Sequence, residues 1–228
     1  MASPILNEQE LLNIVYAMYE ADTSNWAATS DEYLSARVMA NAAINRWEFY
    51  EQTNWRELWT THASTASDIV KTTTAGTYTY ACSTDMIKPA SYIRTNTTNY
   101  WHVVPLNQVP THANDNTNFV YFTGNIKVGF TLAFNPNTTL TTAHVISYEY
   151  YKSATRFTAT TSTTEMTDPY FIVYFVLSRL YENDGEDSKA SKAFQEAEGR
   201  LENMRTQNML GFENVDDLIT GLGDGFGY

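Results

Sequence analysis

The segment Asp168-Pro169-Tyr170-Phe171-Ile172-Val173-Tyr174-Phe175-Val176-Leu177-Ser178-Arg179-Leu180-Tyr181 is apolar on nearly every side, interrupted only by Ser178 and Arg179. Asp168-Pro169 reads as a helix start, because proline's fixed φ suits the first turn and its missing N–H is not needed there. Asn183-Asp184-Gly185 reads as the stop. A helix without a polar face must be covered on several sides. The stretch therefore predicts a helical body, with Phe171 and Phe175 expected to meet a neighbouring chain.

Downstream, a helix over about Asp187 to Asn208 carries Ala190, Ala193, Phe194, Ala197, Leu201 and Met204 on one face, with Glu196 and Arg200 paired on the other. Upstream, Asn7 followed by Glu10 has capping-box spacing, and Leu11, Leu12, Val15 and Tyr19 give the helix after it one apolar face. Thr29 and Glu32 repeat that spacing before a second helix, from about Asp31 to Glu51. Its Ala36, Ala40, Ala42 and Ala43 would let another helix approach closely. The aromatics Trp47, Phe49, Tyr50, Trp55 and Trp59 read as a core seam, with a ligand platform as the alternative.

Between these helical ends the pattern changes. Thr-rich, β-branched segments are expected as strands at Asp68–Thr73, Thr77–Ala81, Ser91–Thr95, Trp101–Leu106, Asn118–Thr123, Ile126–Phe134 and Ala143–Lys152, with Gly124-Asn125 as a hairpin turn. Only Arg94, Asp115 and Lys127 are charged between Pro89 and Tyr148. Such a sheet is either a small closed barrel or sandwich with Thr and Asn outside, or a sheet that faces protein neighbours. The expected class is α+β: a helical body of residues 1–66 and 165–209, an inserted antiparallel β-domain of residues 67–164, and a C-terminal arm of residues 210–228.

The chain has 228 residues and a formal charge of −12, with 26 acidic against 14 basic side chains. That balance argues against a grip on phosphate backbones, which needs Lys and Arg to displace counterions, and suits a surface that DNA slides past. Cys82 is the single cysteine, so no internal disulfide is expected, and it reads as a small buried hydrophobe. The start has neither the basic nor the apolar region of a secretory signal, and no stretch suits a bilayer span. The expectation is a soluble protein, made and kept in the cytoplasm until assembly.

No catalytic constellation stands out, so a non-enzyme without cofactor or metal is expected. His62, His102, His112 and His144 are spaced for no metal site. Asn183 to Asp187 suggests a calcium loop, but Leu180 stands where a liganding carboxylate is needed. The run Gly221, Gly223, Gly225, Gly227 has no helix after it to hold a nucleotide. Glu149 and Glu165 leave a carboxylate hydrolase open but unsupported.

In the arm, Asn214 could cap a short helix, with Asp216 and Asp217 at the positive end of its dipole. Val215, Leu218, Ile219 and Leu222 form one apolar stripe, and Phe212, Phe226 and Tyr228 add aromatic anchors. Burying the four aliphatics gains roughly 6–12 kcal/mol gross. Ordering the segment costs about 1–2 kcal/mol per residue. One arm is a weak clasp, and a ring of arms is not.

The sequence resembles the head-to-tail adaptor, or connector, proteins of tailed bacteriophages. The resemblance lies in the Trp-rich end of the second helix, Trp47 to Trp59, and in Gly76-Thr77-Tyr78-Thr79-Tyr80 followed by Asp85. It continues through Phe119-Val120-Tyr121-Phe122-Thr123-Gly124-Asn125-Ile126 and Ile146-Ser147-Tyr148-Glu149-Tyr150-Tyr151 into the Pro169–Tyr181 helix, the Asp184-Gly185 turn and the long last helix. It implies a virion protein that forms a homo-oligomeric ring, expected as a dodecamer, between the portal protein and the next tail component (tail tube, nozzle or stopper). DNA would pass through the ring without specific binding, and no membrane is involved. The expected protein-interface residues are Phe171, Phe175, Phe212, Val215, Leu218, Ile219, Leu222, Phe226 and Tyr228. The rival reading is a glycan- or receptor-binding β-module of a phage tail, gripping through Tyr100 and Trp101.

Overall fold

A computed structural model describes residues 5–22, 24–62, 78–95, 99–109, 119–135 and 146–223. The expected strand at Asp68–Thr73 lies outside them, as do His112, His144, Phe226 and Tyr228. The chain is an α+β protein that divides into two compact units, residues 1–57 with 154–228 and residues 58–153.

In the helical unit, α1 (Glu8–Glu20) starts at the expected capping box. Asn7 Oδ1 accepts from Glu10 N at 2.9 Å, and Glu10 Oε2 accepts from Asn7 N at 2.8 Å. Helix α2 (Asp31–Glu48) is capped one residue later than the Thr29 reading, by Ser30 Oγ accepting from Tyr33 N at 3.2 Å. Helix α3 (Tyr170–Asn183) follows Asp168-Pro169, and Asp168 Oδ1 accepts from Tyr170 N at 3.1 Å. Gly185 turns the chain at φ +73°, and α4 (Asp187–Gly223) follows. It is 37 residues long, about 55 Å at 1.5 Å per residue.

Helix α3 packs against α1, α2 and α4 at once. Leu11, Leu12 and Val15 come from α1, and Ala36, Ala40, Ala43, Ile44 and Trp47 from α2. The seam on α4 is Ala193, Ala197, Leu201 and Met204. The α2 alanines permit the close approach expected of them, except Ala42, which faces out. The aromatic seam is partly as read. Trp47 and Trp55 are buried with ring centres 5.3 Å apart, and Trp55 Nε1 donates to Trp47 O at 2.7 Å, whereas Phe49 and Trp59 are exposed.

Residues 154–164, read from the sequence as part of the β-domain, belong to the helical unit. Polar side chains on α2 hold them there. Asn41 exchanges two hydrogen bonds with the backbone of Phe157, at 2.8 and 3.0 Å, and the buried Glu48 carboxylate accepts from Ala154 N at 2.8 Å and from Arg156. The C-terminal boundary also differs: α4 runs unbroken to Gly223, so Asn214 lies inside a helix rather than capping a new one. Between Met209 and Asn214 only Gly211 opposes helix, at a cost of about 1 kcal/mol.

Among the described residues the second unit holds one seven-stranded sheet. Its strands are β1 (Trp59–His62), β2 (Thr79–Ala81), β3 (Met86–Thr95), β4 (Asn99–Val103), β5 (Phe119–Asn125), β6 (Gly129–Phe134) and β7 (Ile146–Lys152), in the order β1-β7-β3-β4-β5-β6-β2. The expected antiparallel barrel or sandwich is corrected to a mixed sheet: β4 and β5 run parallel, with His102 opposite Phe119 and Val103 opposite Val120. A parallel pair needs a crossover of a dozen or more residues, and residues 104–118 are long enough to supply it. The hairpin turn falls at residues 126–128 rather than at Gly124-Asn125, which end β5. Strand β1 was not foreseen. Pro89 sits in β3 beside a register shift against β7, where its missing N–H is tolerated.

The sheet curls. Cys82 N donates to Phe130 O in β6 at 2.9 Å, while the next residue, Ser83, donates its N–H to Tyr148 Oη of β7 at 3.0 Å. Three strands separate β6 from β7 in the sheet, so both can be reached from adjacent residues only if the sheet bends round. Its concave core is Cys82, Met86, Ile93, Trp101, Val120, Leu132, Phe134, Ile146, Tyr148 and Tyr150. Alternation along β7 puts Ser147 and Glu149 on the other face, where Glu149 meets Arg94 at 3.1 Å.

Candidate functional site

The features that point to function are surfaces and anchors. Asn208 bonds α4 to the rest of its unit. Its buried amide donates to Asn54 O at 2.9 Å and accepts from Arg56 N at 3.0 Å. One turn earlier, Arg205 pairs with Glu51 at 3.0 Å and Glu202 at 3.1 Å, and Arg56 donates to Gln207 O at 3.2 Å. Glu51 and Gln52 both adopt left-handed backbone, φ 44° and 58°, a conformation costing about 1–2 kcal/mol per non-glycine residue. The chain accepts that strain where α2 ends and bends under α4. Glu51, Thr53, Asn54, Arg205, Asn208 and Met209 line an open cleft there, but its two charges already neutralise each other.

Past Asn208 the α4 backbone stays helical to Gly223, so Val215, Leu218, Ile219 and Leu222 fall in the helical register of Ala197, Leu201 and Met204. Phe212 lies on the same helix, and Phe226 and Tyr228 lie outside the described residues. Phe171 and Phe175 are placed differently from the expectation. They are 0% and 5% exposed, so the helix that lacks a polar face is covered within its own chain. They are core residues, and the need for a neighbour that was read from them is gone.

The other candidates resolve similarly. Trp101 packs edge-on against Phe134 at 4.9 Å inside the sheet core, which removes it as a ligand platform, while Tyr100 is exposed. Glu149 is engaged by Arg94, and Glu165 accepts from Thr155 N at 3.1 Å and from Thr155 Oγ1 at 2.7 Å. Cys82 is buried in the sheet core, as read. Among the described residues no group of three or more His, Cys, Asp or Glu could hold a metal ion, and no helix is long and apolar enough to cross a membrane.

Perturbed groups follow burial and pairing. Tyr33, beside the ion pair of buried Glu8 with half-buried Arg37 (2.6 Å), is pushed up to about 12, first by desolvation and then by Glu8. Tyr19 is pushed up to about 12 chiefly by its hydrogen bond to Asp184, which ties α1 to the α3–α4 turn. Arg200, over the rings of Tyr170 and Tyr174, pairs with Asp168 at 2.8 Å and Glu196 at 3.0 Å. These are structural ties within the helical unit.

Two exposed apolar patches were missed. Leu34 and Val38 on α2 are 42% and 69% exposed, and Ile126 and Val128 at the β5–β6 turn are 54% and 75% exposed. The first was readable as a second apolar stripe on a helix already assigned one buried face. The second was hidden by reading Ile126 as the start of a strand. No protein-family model matches this chain, and none of the curated proteins compared with it is significantly similar to it.

Proposed function

We propose that this chain is a structural, non-enzymatic component of a tailed-bacteriophage particle: the adaptor ring between portal and tail, extending the DNA channel. The observation that carries the reading is the unbroken α4, on which Val215, Leu218, Ile219 and Leu222 continue the helical register of Ala197, Leu201 and Met204. A helix that carries an apolar stripe to Gly223 suits docking on a portal or a neighbouring protomer better than an irregular tail does. Helices from both ends of the chain in one unit, with a sheet inserted, fit the connector resemblance. The charge of −12 suits a channel that DNA traverses without sticking.

The test mixes the full chain with portal oligomers and images the particles by negative stain. Cyclic density of this chain at the portal is the expected result, and portal without it would refute the adaptor role. Truncation after Met209 keeps the Asn208 and Arg205 ties, so the shortened protein is expected to fold yet fail to join the particle. Normal incorporation would show the extension to be dispensable.

A further inference from the structure

We propose that the tip of the β5–β6 hairpin of one copy docks on the exposed face of α2 of the next copy. The tip is Ile126-Lys127-Val128, with Ile126 and Val128 54% and 75% exposed. Turn positions favour Gly, Asn, Asp and Ser, so two β-branched apolar side chains there do nothing for the hairpin itself. The hairpin is also held in shape. Asn125 Oδ1 accepts from Lys127 N at 2.9 Å and Val128 N at 3.2 Å, and Gly124 and Gly129 flank the turn at φ +89° and +86°. A Cβ on Gly124 would lie 2.1 Å from Gly129 O, so the strands close tightly behind the tip. A preformed finger loses little freedom on binding.

The complementary surface is on α2. At 100° per residue, Asp31, Leu34, Val38, Ala42 and Phe49 lie on one exposed face, with Ser35 and Asn45 among them, opposite the buried face of Ala36, Ala40, Ala43 and Trp47. Leu34, Val38 and Phe49 are 42%, 69% and 49% exposed. Asp31 precedes Leu34 and Val38 on that face, so an apolar finger carrying a lysine meets an apolar pair beside a carboxylate. Charge complementarity and matched apolarity, both on one chain, identify the occupant as a second copy. The contact joins two different surfaces, so it repeats head to tail and closes a ring when the rotation allows. It rests on the ring reading above and names the protomer contact. A tip this small buries far less than the ~1,200 Å² of a stable complex, so free copies meet transiently and many copies hold one another.

Disulfide trapping of the full-length protein tests it. Val128→Cys and Val38→Cys are made separately and together, with native Cys82 buried in the sheet core. Under mild oxidation, mixing the single variants is expected to give the mixed dimer, and the double variant a ladder of multimers. Lys127→Asp is expected to weaken the ladder by about two- to fivefold, the size of an exposed ion pair, and Asp31→Lys in the same chain to restore it. Circular dichroism checks that each variant is folded. Predominant Val38→Cys homodimers would mean α2 meets α2 and would overturn the contact. Rings seen in micrographs of a double variant that gives no ladder would overturn the contact and leave the ring standing. Absence of both mixed dimers and rings would overturn both.

Discussion

Gly124 and Gly185 both have positive φ, but for different reasons, and alanine separates them. At 124 a Cβ meets Gly129 O at 2.1 Å, whereas at 185 nothing lies within 4 Å. Gly185→Ala is expected to cost about 1–2 kcal/mol for left-handed backbone alone. Gly124→Ala is expected to cost roughly 2–4 kcal/mol, because the facing strand must also shift. Urea unfolding checks the order, and equal losses would count against it. A second test uses Tyr148, whose phenol burial pushes up to about 12. A folded pKa above the unfolded value near 10 means the neutral phenol is favoured by folding. That stabilisation is complete below pH 10 and is lost as pH rises from 10 to 12. Absorbance near 295 nm and urea midpoints across that window follow it, and Tyr148→Phe is expected to flatten the decline. Identical alkaline slopes in the two proteins would refute the assignment. At this scale the sequence showed which side chains are apolar but not what covers them. Phe171 and Phe175 were read as interface residues, yet α1, α2 and α4 supply their cover. Gly124-Asn125 was legible as a turn signal, but its position was not. The asparagine side chain bonds forward to Lys127 and Val128 and so moves the turn two residues on.

Asn208 staples α4 to the segment after α2, and its removal is an element-scale test. Asn208→Ala loses bonds to Asn54 O and Arg56 N at a buried site. The expected cost is roughly 2 kcal/mol, with faster amide exchange at Arg56 as the local signature. Unchanged exchange there would show that the staple carries no load. The helices were readable because their ends use local chemistry: the Asn7–Glu10 box, Asp168-Pro169 and the Asp184-Gly185 turn. The sheet was less readable, since pairing is decided by residues far apart in sequence. Nothing local to Trp101 or Phe119 distinguishes a crossover from a hairpin, so the parallel β4–β5 pair was missed. Trp59-Thr60-Thr61-His62 resembles the end of an aromatic-rich segment until Tyr148 to Tyr151 come alongside as partners.

For the whole molecule, 26 acids against 14 bases predict no duplex DNA binding tighter than about 10⁻⁴ M at physiological salt, the weak end of non-specific binding. Anisotropy titration measures it, and a clearly tighter affinity would contradict the passive channel. The division into units also sets a schedule for synthesis. The sheet unit can be complete once Ser153 has left the ribosome, but α1 and α2 must wait for α3, which begins about 120 residues after α2 ends. At ~5–20 residues per second that wait is on the order of 6–25 s, far longer than a helix needs to form. Throughout it Leu11, Leu12, Val15 and Trp47 lack their native cover while the nascent chain lengthens on the ribosome. A released fragment ending between Ala154 and Tyr170 therefore carries every strand of the sheet unit and two helices without their cover, the form of this protein that a chaperone has most surface to grasp.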